Sequence, residues 1–323
     1  MRRGDQMNIY DSVLDFVGQT PMVKITSEEL FNINLFVKLE GNNPTGSVKD
    51  RAASYTVETL LKDNKIDQQT TIIESSSGNF GIALASYCKK VGLKFVCVVD
   101  PKILSVNEML IKSLGATLIK IDEPDESGGY LKTRLKKVRE LQMMIKNSYW
   151  INQYENKLVS QAYYETIGRE ICHEIKIDYI FLAVSSGGTI TGISNYVKEA
   201  FPQSKVIAVD TEGSVIFGLK SKNRSIPGIG SSITPAILKN ATIDEIVIID
   251  EQVTIDMCRE LLSQHAIFVG GSSGTVYGAI KKYFKGRSLE RTPNVVAVFA
   301  DRGERYFDTI YNDEWCNQIR KKK

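Results

Sequence analysis

The chain has 323 residues, of which 42% are hydrophobic and 24% are charged. This composition is ordinary for a soluble globular protein and excludes a disordered chain. Lysine and arginine number 41 against 38 aspartates and glutamates, so a formal net charge of +3 is too small to indicate a nucleic-acid partner.

Short β-branched runs alternate along the chain with segments of helical periodicity. The runs are residues 35–39, 71–74, 94–99, 117–121, 179–184, 205–209, 245–249 and 294–300. Because most runs are apolar on both faces, they predict an α/β fold with parallel sheets covered by helices. Turn-rich and polar stretches at 41–46 and 122–129 place a smaller α/β domain at 41–150. Residues 1–40 and 151–323 then form a larger domain.

Cysteine and histidine usage bears on metal binding and on the cellular compartment. The five cysteines contain no CxxC pair, and the two histidines have no neighbour at metal-ligand spacing. We therefore expect reduced thiols, no metal site and a cytoplasmic location. No apolar run approaches the roughly 20 residues of a membrane helix, which predicts no membrane association. The first residues do not read as a signal peptide, and Met1 and Met7 are both candidate starts.

Three glycine- and serine-rich loops are predicted to open helices. They are residues 75–79 (SSSGN), 185–189 (SSGGT) and 270–274 (GGSSG). Each follows an apolar run that is predicted to be a strand, and for the third loop this strand is residues 267–269. Unpaired N–H groups at a helix N-terminus bind anions, so three such loops predict a site for several anionic groups. Alternatively, they are ordinary turns with serine N-caps. None has the GxGxxG or GxxxxGK pattern.

Lys49 lies in residues 43–51 (NPTGSVKDR), at the predicted start of a helix. The helix dipole disfavours a cation at that position, which lowers the pKa of the amine and suits it to act as a nucleophile or to form a Schiff base. The alternative is a surface lysine paired with Asp50. This stretch alone does not decide between the two.

Residues 43–51 resemble the lysine motif of the cysteine synthase family, which are pyridoxal-phosphate enzymes of fold type II. Further motifs follow in the family's order: ESSSGNFG at 74–81, SSGGT at 185–189, IPGIG at 226–230, GSSG at 271–274 and DRGERY at 301–306. The similarity extends from about residue 12 to residue 311. It implies a two-domain fold like that of the tryptophan synthase β subunit. It also implies a mobile smaller domain that carries the substrate loop, bound pyridoxal 5'-phosphate and a homodimer.

The resemblance also implies roles for individual residues. Lys49 would hold the cofactor covalently and act as the general base, Asn79 would bind the ring hydroxyl, and Ser272 would face the pyridine nitrogen. The cofactor phosphate would be bound by Ser185, Ser186, Gly187, Gly188 and Thr189. The α-carboxylate of the substrate would be bound by Ser76, Ser77, Gly78 and Asn79.

Several positions depart from typical cysteine synthases, among them Phe80, Tyr154 and Ser185. These resemble a narrower branch that makes precursors of 2,3-diaminopropionate for siderophores and peptide antibiotics. That branch condenses O-phospho-L-serine with L-glutamate through an aminoacrylate, giving N-(2-amino-2-carboxyethyl)-L-glutamate and phosphate. Arg134 is then a candidate clamp for an anionic group of these substrates, or else a solvated helix residue. The other candidate substrate contacts are Gln153, Tyr154 and Ser185.

Two other functions stay open at this stage. The first is a cysteine synthase that uses O-acetyl- or O-phospho-L-serine with sulfide. The second is an inactive binding or regulatory protein that has kept the fold, which the presence of Lys49 and of all three loops disfavours. For the enzyme, the expected partners are small-molecule substrates.

Overall fold

The computed structural model describes residues 9–126 and 128–321, so the candidate start residues Met1 and Met7 lie outside the described part. Within it there are ten strands and ten α-helices. The strands are β1 Met22–Ile25, β2 Asn34–Leu39, β3 Thr71–Ser75, β4 Lys94–Val99, β5 Thr117–Lys120, β6 Ser148–Trp150, β7 Tyr179–Ala183, β8 Lys205–Thr211, β9 Glu245–Ile249 and β10 Asn294–Phe299. The helices are α1 Lys49–Lys62, α2 Asn79–Val91, α3 Ser105–Ser113, α4 Leu131–Met144, α5 Lys157–Tyr163, α6 Arg169–Glu174, α7 Gly188–Ala200, α8 Glu251–His265, α9 Gly271–Phe284 and α10 Asp313–Lys321.

The strands form two sheets. The larger has the order β1-β2-β10-β7-β8-β9, and the smaller has the order β5-β4-β3-β6. All neighbouring pairs are parallel except β1 with β2, which is antiparallel. This confirms the α/β class with parallel sheets covered by helices. The smaller sheet lies within residues 71–150, while the domain boundaries at 41 and 150 stay a prediction.

The eight predicted strands are present, with ends that differ by at most two residues. The predicted strand at 267–269 is wrong, because only an isolated bridge joins Val269 to Arg302 there. The third loop was also misplaced, since residues 271–274 already form the first turn of α9. Strands β1 and β6 were not predicted from the sequence. They have only four and three residues, which is too short for an alternation of apolar and polar side chains to be recognised.

One apolar core connects the two sheets. The amphipathic helix α2 buries Phe80, Leu84 and Tyr87, and Gly92 caps its C-terminus with a φ of 78° that suits glycine. The same cluster of buried side chains includes Val57 of α1 and Ile190 of α7. Helix α1 therefore lies between α2 on one side and α5 on the other, and it connects the elements of the smaller sheet to those of the larger one.

Several sequence expectations concern membranes, metals and thiols. No helix in the described residues is long and apolar enough to cross a bilayer. The same residues contain no group of three or more His, Cys, Asp or Glu side chains that could hold a metal ion. All five cysteines are free, and Cys172 alone is not fully buried.

A buried ionic network fixes the first turn of α1. The Arg51 guanidinium donates from Nε to Glu40 Oε2 at 2.7 Å and from Nη1 to Glu170 Oε1 at 2.6 Å. Lys38, also fully buried, lies 3.1 Å from Glu170 Oε2 and donates to the Thr20 carbonyl at 2.7 Å. The network joins α1 to the end of β2 and to α6. Because Arg51 is two residues beyond Lys49, it also fixes the position of that lysine.

Replacing Arg51 by methionine tests this network. The substitution leaves the Glu40 carboxylate buried without its main cation, so we expect a loss of about 3–5 kcal/mol in the free energy of unfolding. Urea unfolding of the cofactor-free protein measures it. Arg320→Met is the matched control, because the guanidinium of Arg320 is half exposed and reaches Asp256 at only 3.4 Å. An equal, small effect of both substitutions would contradict the structural role of the network.

Candidate active site

Lys49 lies at the edge of the larger sheet where the parallel strands end. Its segment is paired with the chain that leaves β10: Val48 N donates to the Ala300 carbonyl at 2.8 Å, and Arg302 N donates to the Gly46 carbonyl at 3.2 Å. The carboxyl ends of parallel strands are where α/β proteins bind their ligands. Lys49 is the first residue of α1, as the sequence predicted.

The Lys49 amine lies 5.7 Å from the centre of the Tyr163 ring. Burial lowers its pKa to about 8, although the Asp301 carboxylate acts in the opposite direction. Asp50 does not pair with it but accepts hydrogen bonds from the Thr45 backbone N–H and hydroxyl. The interpretation of Lys49 as a surface lysine paired with Asp50 is therefore wrong. An amine with this pKa is partly neutral near physiological pH and can act as a nucleophile or a base.

The three helices α2, α7 and α9 are capped by Gly78, Gly187 and Gly270, none of which offers a side-chain cap. The alternative of serine N-caps is therefore wrong, although at α2 the Ser76 hydroxyl accepts a hydrogen bond from Gly81 N at 3.0 Å. Gly187 has φ of 87°, a left-handed conformation that strains any residue with a Cβ. The first N–H groups of α7 and α9 remain suited to an anion.

A pocket at this edge brings together many of the predicted cofactor residues. Among the residues that line it are Lys49, Ser185, Ser186, Gly187, Thr189 and Ser272. Gly188 packs against α5: a Cβ atom at this position would lie only 2.7 Å from Val159 Cγ1, so the packing requires a glycine. The Ser185 hydroxyl donates to the Gly230 carbonyl at 3.1 Å. Two of the three loops and the lysine thus meet in one site.

Asp301 is a site residue whose role the sequence did not reveal. Its Oδ2 accepts hydrogen bonds from Asn79 Nδ2 at 2.7 Å and from the Tyr306 hydroxyl at 2.6 Å. Its Oδ1 is buried and has no hydrogen-bond partner among the described residues. Burial raises the pKa of this carboxyl. Asp301 thus connects Asn79 to the edge of the larger sheet where Lys49 lies. Its position as the first residue of the DRGERY motif was the sequence signal that could have identified it.

The predicted carboxylate loop does not line the Lys49 pocket itself. Its Ser77 hydroxyl donates to Asp100 Oδ2 at 3.0 Å and accepts a hydrogen bond from Arg134 Nη1 at 2.8 Å. A Cβ at Gly78 would meet no described atom within 4 Å, so there is open space at the start of α2. The loop therefore leaves room for a ligand, while Ser77 is already bonded to neighbouring side chains.

The remaining predicted substrate residues lie near this loop. Arg134 is only 12% exposed and forms an ion pair with Asp100 at 3.1 Å, so its interpretation as a solvated helix residue is wrong. Its Nε atom is buried without a partner in the described part of the chain. Gln153 donates from its side chain to the Ser75 carbonyl at 3.3 Å. Tyr154 is partly exposed, and its backbone carbonyl accepts a hydrogen bond from Ile237 N.

These residues fit pyridoxal phosphate. The Lys49 amine can bond an aldehyde, and the N-terminal turn of α7 offers N–H groups and the Thr189 hydroxyl to a phosphate. The unpartnered Oδ1 of Asp301 and the unpartnered hydroxyl of Tyr163 are buried polar atoms that a bound polar group would help to explain. Ser272 provides a neutral hydroxyl in the same pocket.

Comparison with known proteins agrees with this geometry. A family model described as pyridoxal-phosphate dependent enzyme matches residues 13–301. An O-acetylserine-dependent cystathionine β-synthase from Helicobacter pylori is 33% identical, with a TM-score of 0.87 over 95% of this chain and 100% of that one. A hydrogen sulfide-producing enzyme from Fusobacterium nucleatum is 31% identical, with a TM-score of 0.86 over 92% of this chain and 100% of that one. An O-ureido-L-serine synthase is 26% identical, with a TM-score of 0.87 over 95% and 96%.

The pKa of Lys49 predicts how cofactor uptake depends on pH. Only the neutral amine attacks an aldehyde, so below pH 8 the rate at which the cofactor-free protein binds pyridoxal phosphate should fall about tenfold per pH unit. Asp301→Asn removes the charge that favours the ammonium form. The pKa of Lys49 should then fall, and the midpoint of the rate profile should move to lower pH by up to about one unit.

Stopped-flow absorption measures these rates. Asp308→Asn, at an exposed position in the same segment, should leave the midpoint where it is. A midpoint that stays unchanged or rises in Asp301→Asn would contradict the electrostatic role of Asp301.

Proposed function

The chain belongs to the family of pyridoxal-phosphate-dependent enzymes, and we propose that it is a β-replacement synthase that condenses O-phospho-L-serine with L-glutamate. In this reaction the bond from Cβ of the donor to the phosphate oxygen breaks, and a bond forms from Cβ to the glutamate nitrogen. The products are N-(2-amino-2-carboxyethyl)-L-glutamate and phosphate. Such a product would serve as a precursor of 2,3-diaminopropionate.

The side chains of the pocket supply what β-replacement needs. Bound pyridoxal phosphate withdraws electrons from the α-carbon of an amino acid attached to it. Lys49 Nζ removes the α-proton, for which its pKa of about 8 is well matched. Ser272 offers the cofactor ring a neutral hydroxyl rather than a carboxylate, which favours loss of the β-substituent over transamination. The open space at Gly78 receives the α-carboxylate at the N-terminus of α2.

The observation that carries the choice of anionic substrates is the position of Arg134. Its guanidinium lies against Ser77 of the carboxylate loop, with the Nε donor still without a partner among the described residues. Nη1 is already engaged by Ser77 and Asp100, so Nε is the donor left for an oxygen of a phosphate or a carboxylate. A donor with a phosphate and a nucleophile with two carboxylates need such a group, whereas acetylserine and sulfide do not.

A second arginine approaches the same region from the larger sheet. Arg224 follows β8 and donates from Nη1 to the Ile229 carbonyl at 3.1 Å. Burial raises the pKa of the Tyr154 hydroxyl; Arg134 and Arg224 act to lower it, whereas the carboxylates of Glu74 and Asp100 act to raise it. The Tyr154 hydroxyl is thus influenced by two guanidinium groups and two carboxylates, and the two guanidinium groups are the candidates for binding an anionic substrate.

Two of the related enzymes favour a second candidate. One related enzyme depends on O-acetylserine and another produces hydrogen sulfide. A synthase that joins O-acetyl- or O-phospho-L-serine with sulfide would use the same Lys49 pocket. It would leave the cationic groups near Tyr154 without a role in binding the nucleophile.

A substrate experiment separates the two candidates. O-phospho-L-serine should shift the absorption band of the bound cofactor, and L-glutamate should restore it with release of about one phosphate per condensed product. Mass spectrometry identifies that product. If sulfide alone restores the band and cysteine is formed, the glutamate proposal is wrong and the cysteine synthase candidate stands.

Arg134→Met tests the recognition of the anionic groups. We expect KM for O-phospho-L-serine or for L-glutamate to rise about tenfold or more, because a charge-assisted hydrogen bond is lost. KM for O-acetyl-L-serine should change less than about twofold. Arg139→Met, at an exposed position of the same helix, is the control. An equal loss for all donors would instead assign Arg134 a purely structural role beside Asp100.

A further inference from the structure

The guanidinium that is proposed to bind a substrate anion already faces a carboxylate of the protein. Asp100 follows β4, and Ser77 follows the parallel neighbouring strand β3, so both lie at the edge of the smaller sheet where its strands end. Arg134 reaches them from α4, and its Nη1 is 3.1 Å from Asp100 Oδ2. The two charged side chains are only 12% and 9% exposed. They form a nearly buried ion pair beside the substrate loop.

The Ser77 hydroxyl has no free donor in this arrangement. Its Oγ donates to Asp100 Oδ2 at 3.0 Å, and it accepts from Arg134 Nη1 at 2.8 Å and from Asp100 N at 3.4 Å. A hydroxyl has one proton and two lone pairs, so all of its bonds are made. The other oxygen of Asp100 accepts from Lys102 N at 2.9 Å. A substrate that accepts a hydrogen bond from Ser77 therefore has to displace Asp100.

Arg134 also keeps one donor in reserve. Its Nε is buried and has no hydrogen-bond partner in the described part of the chain. Glu74, a fully buried carboxyl at the end of β3, is bonded elsewhere, because it accepts from Ser75 N at 2.7 Å and from Gln153 N at 3.2 Å. Asp100 is thus the carboxylate that contacts the guanidinium, and it competes with an incoming anion for the same two groups, Arg134 and Ser77.

We propose that Asp100 is a positioning residue that acts through Arg134 and allows the phosphate product to leave. Without this carboxylate, Arg134 would be a nearly buried cation without a counter-ion, and a small anion would bind to it tightly. Tight binding of substrate and product alike does not raise kcat, and slow release of a product lowers it. The Asp100 carboxylate takes the place of the departing anion. The inference rests on the proposed role of Arg134 in binding a substrate anion.

Binding of inorganic phosphate to the holoenzyme tests this role. Asp100→Asn removes the charge and keeps the size of the side chain, so the dissociation constant for phosphate should fall about tenfold. Isothermal titration calorimetry measures it. Asp122→Asn is the matched control, since this aspartate is exposed and follows β5, the strand next to β4. The control should stay within about twofold of the wild-type value. Asp100→Ser is a second neutral variant, and thermal unfolding checks that each variant folds.

Two further measurements separate this role from a structural one. In an Arg134→Met background, Asp100→Asn should tighten phosphate binding less than about threefold, because its effect acts through the guanidinium. With O-phospho-L-serine as the donor, kcat and KM should fall together in Asp100→Asn, whereas a damaged site lowers kcat and raises KM.

Three results of the binding experiment would overturn the proposal. They are unchanged or weaker phosphate binding in the neutral variants of Asp100, an equal gain in Asp122→Asn, and an equal gain in the absence of Arg134. Because the titration contains no amino-acid substrate, these results are separate from the success or failure of the condensation reaction.

Discussion

The site depends on two helices, α7 and α9, whose N-termini face the Lys49 pocket and have no side-chain cap. Helices α7 and α9 begin after Gly187 and Gly270, so their first N–H groups are left to other partners. Their glycine caps also let the backbone approach a ligand closely. The positive ends of these helices make the pocket unfavourable for a cation and favourable for a phosphate. A lysine in such a pocket functions only if its amine can lose its proton.

Asp301 offsets this positive environment. Its carboxylate favours the ammonium form of Lys49 and at the same time accepts hydrogen bonds from Asn79 and Tyr306. Asn79 begins α2, a helix that packs with the smaller sheet, whereas Asp301 follows the last strand of the larger one. One buried carboxylate thus balances the charge of the pocket and joins its two halves.

Local patterns were sufficient for much of the fold. The runs at 94–99 and 245–249 are strands with the predicted bounds, and Lys49 begins its helix. The hydrogen-bonded residue pairs that complete the site could not be predicted from local patterns. Asn79 and Asp301 are 222 positions apart in the sequence, and Arg134 and Ser77 are 57 positions apart. Serine-rich loops suggested serine caps because a pattern does not say which residue of the loop adopts the cap conformation.

The groups proposed to hold the cofactor and those proposed to select the substrate are attached to different parts of the fold. Helix α1 carries Lys49 and Arg51, and both residues contact the α5–α6 segment. Lys49 lies over the ring of Tyr163, and Arg51 donates a hydrogen bond to Glu170. These contacts hold α1 against the α5–α6 segment beside the Lys49 pocket. Arg134 and Asp100, in contrast, belong to elements of the smaller sheet. If this cluster selects the substrate as proposed, substitutions in it change substrate preference without disturbing the lysine, in line with the way that one fold supports different substrates.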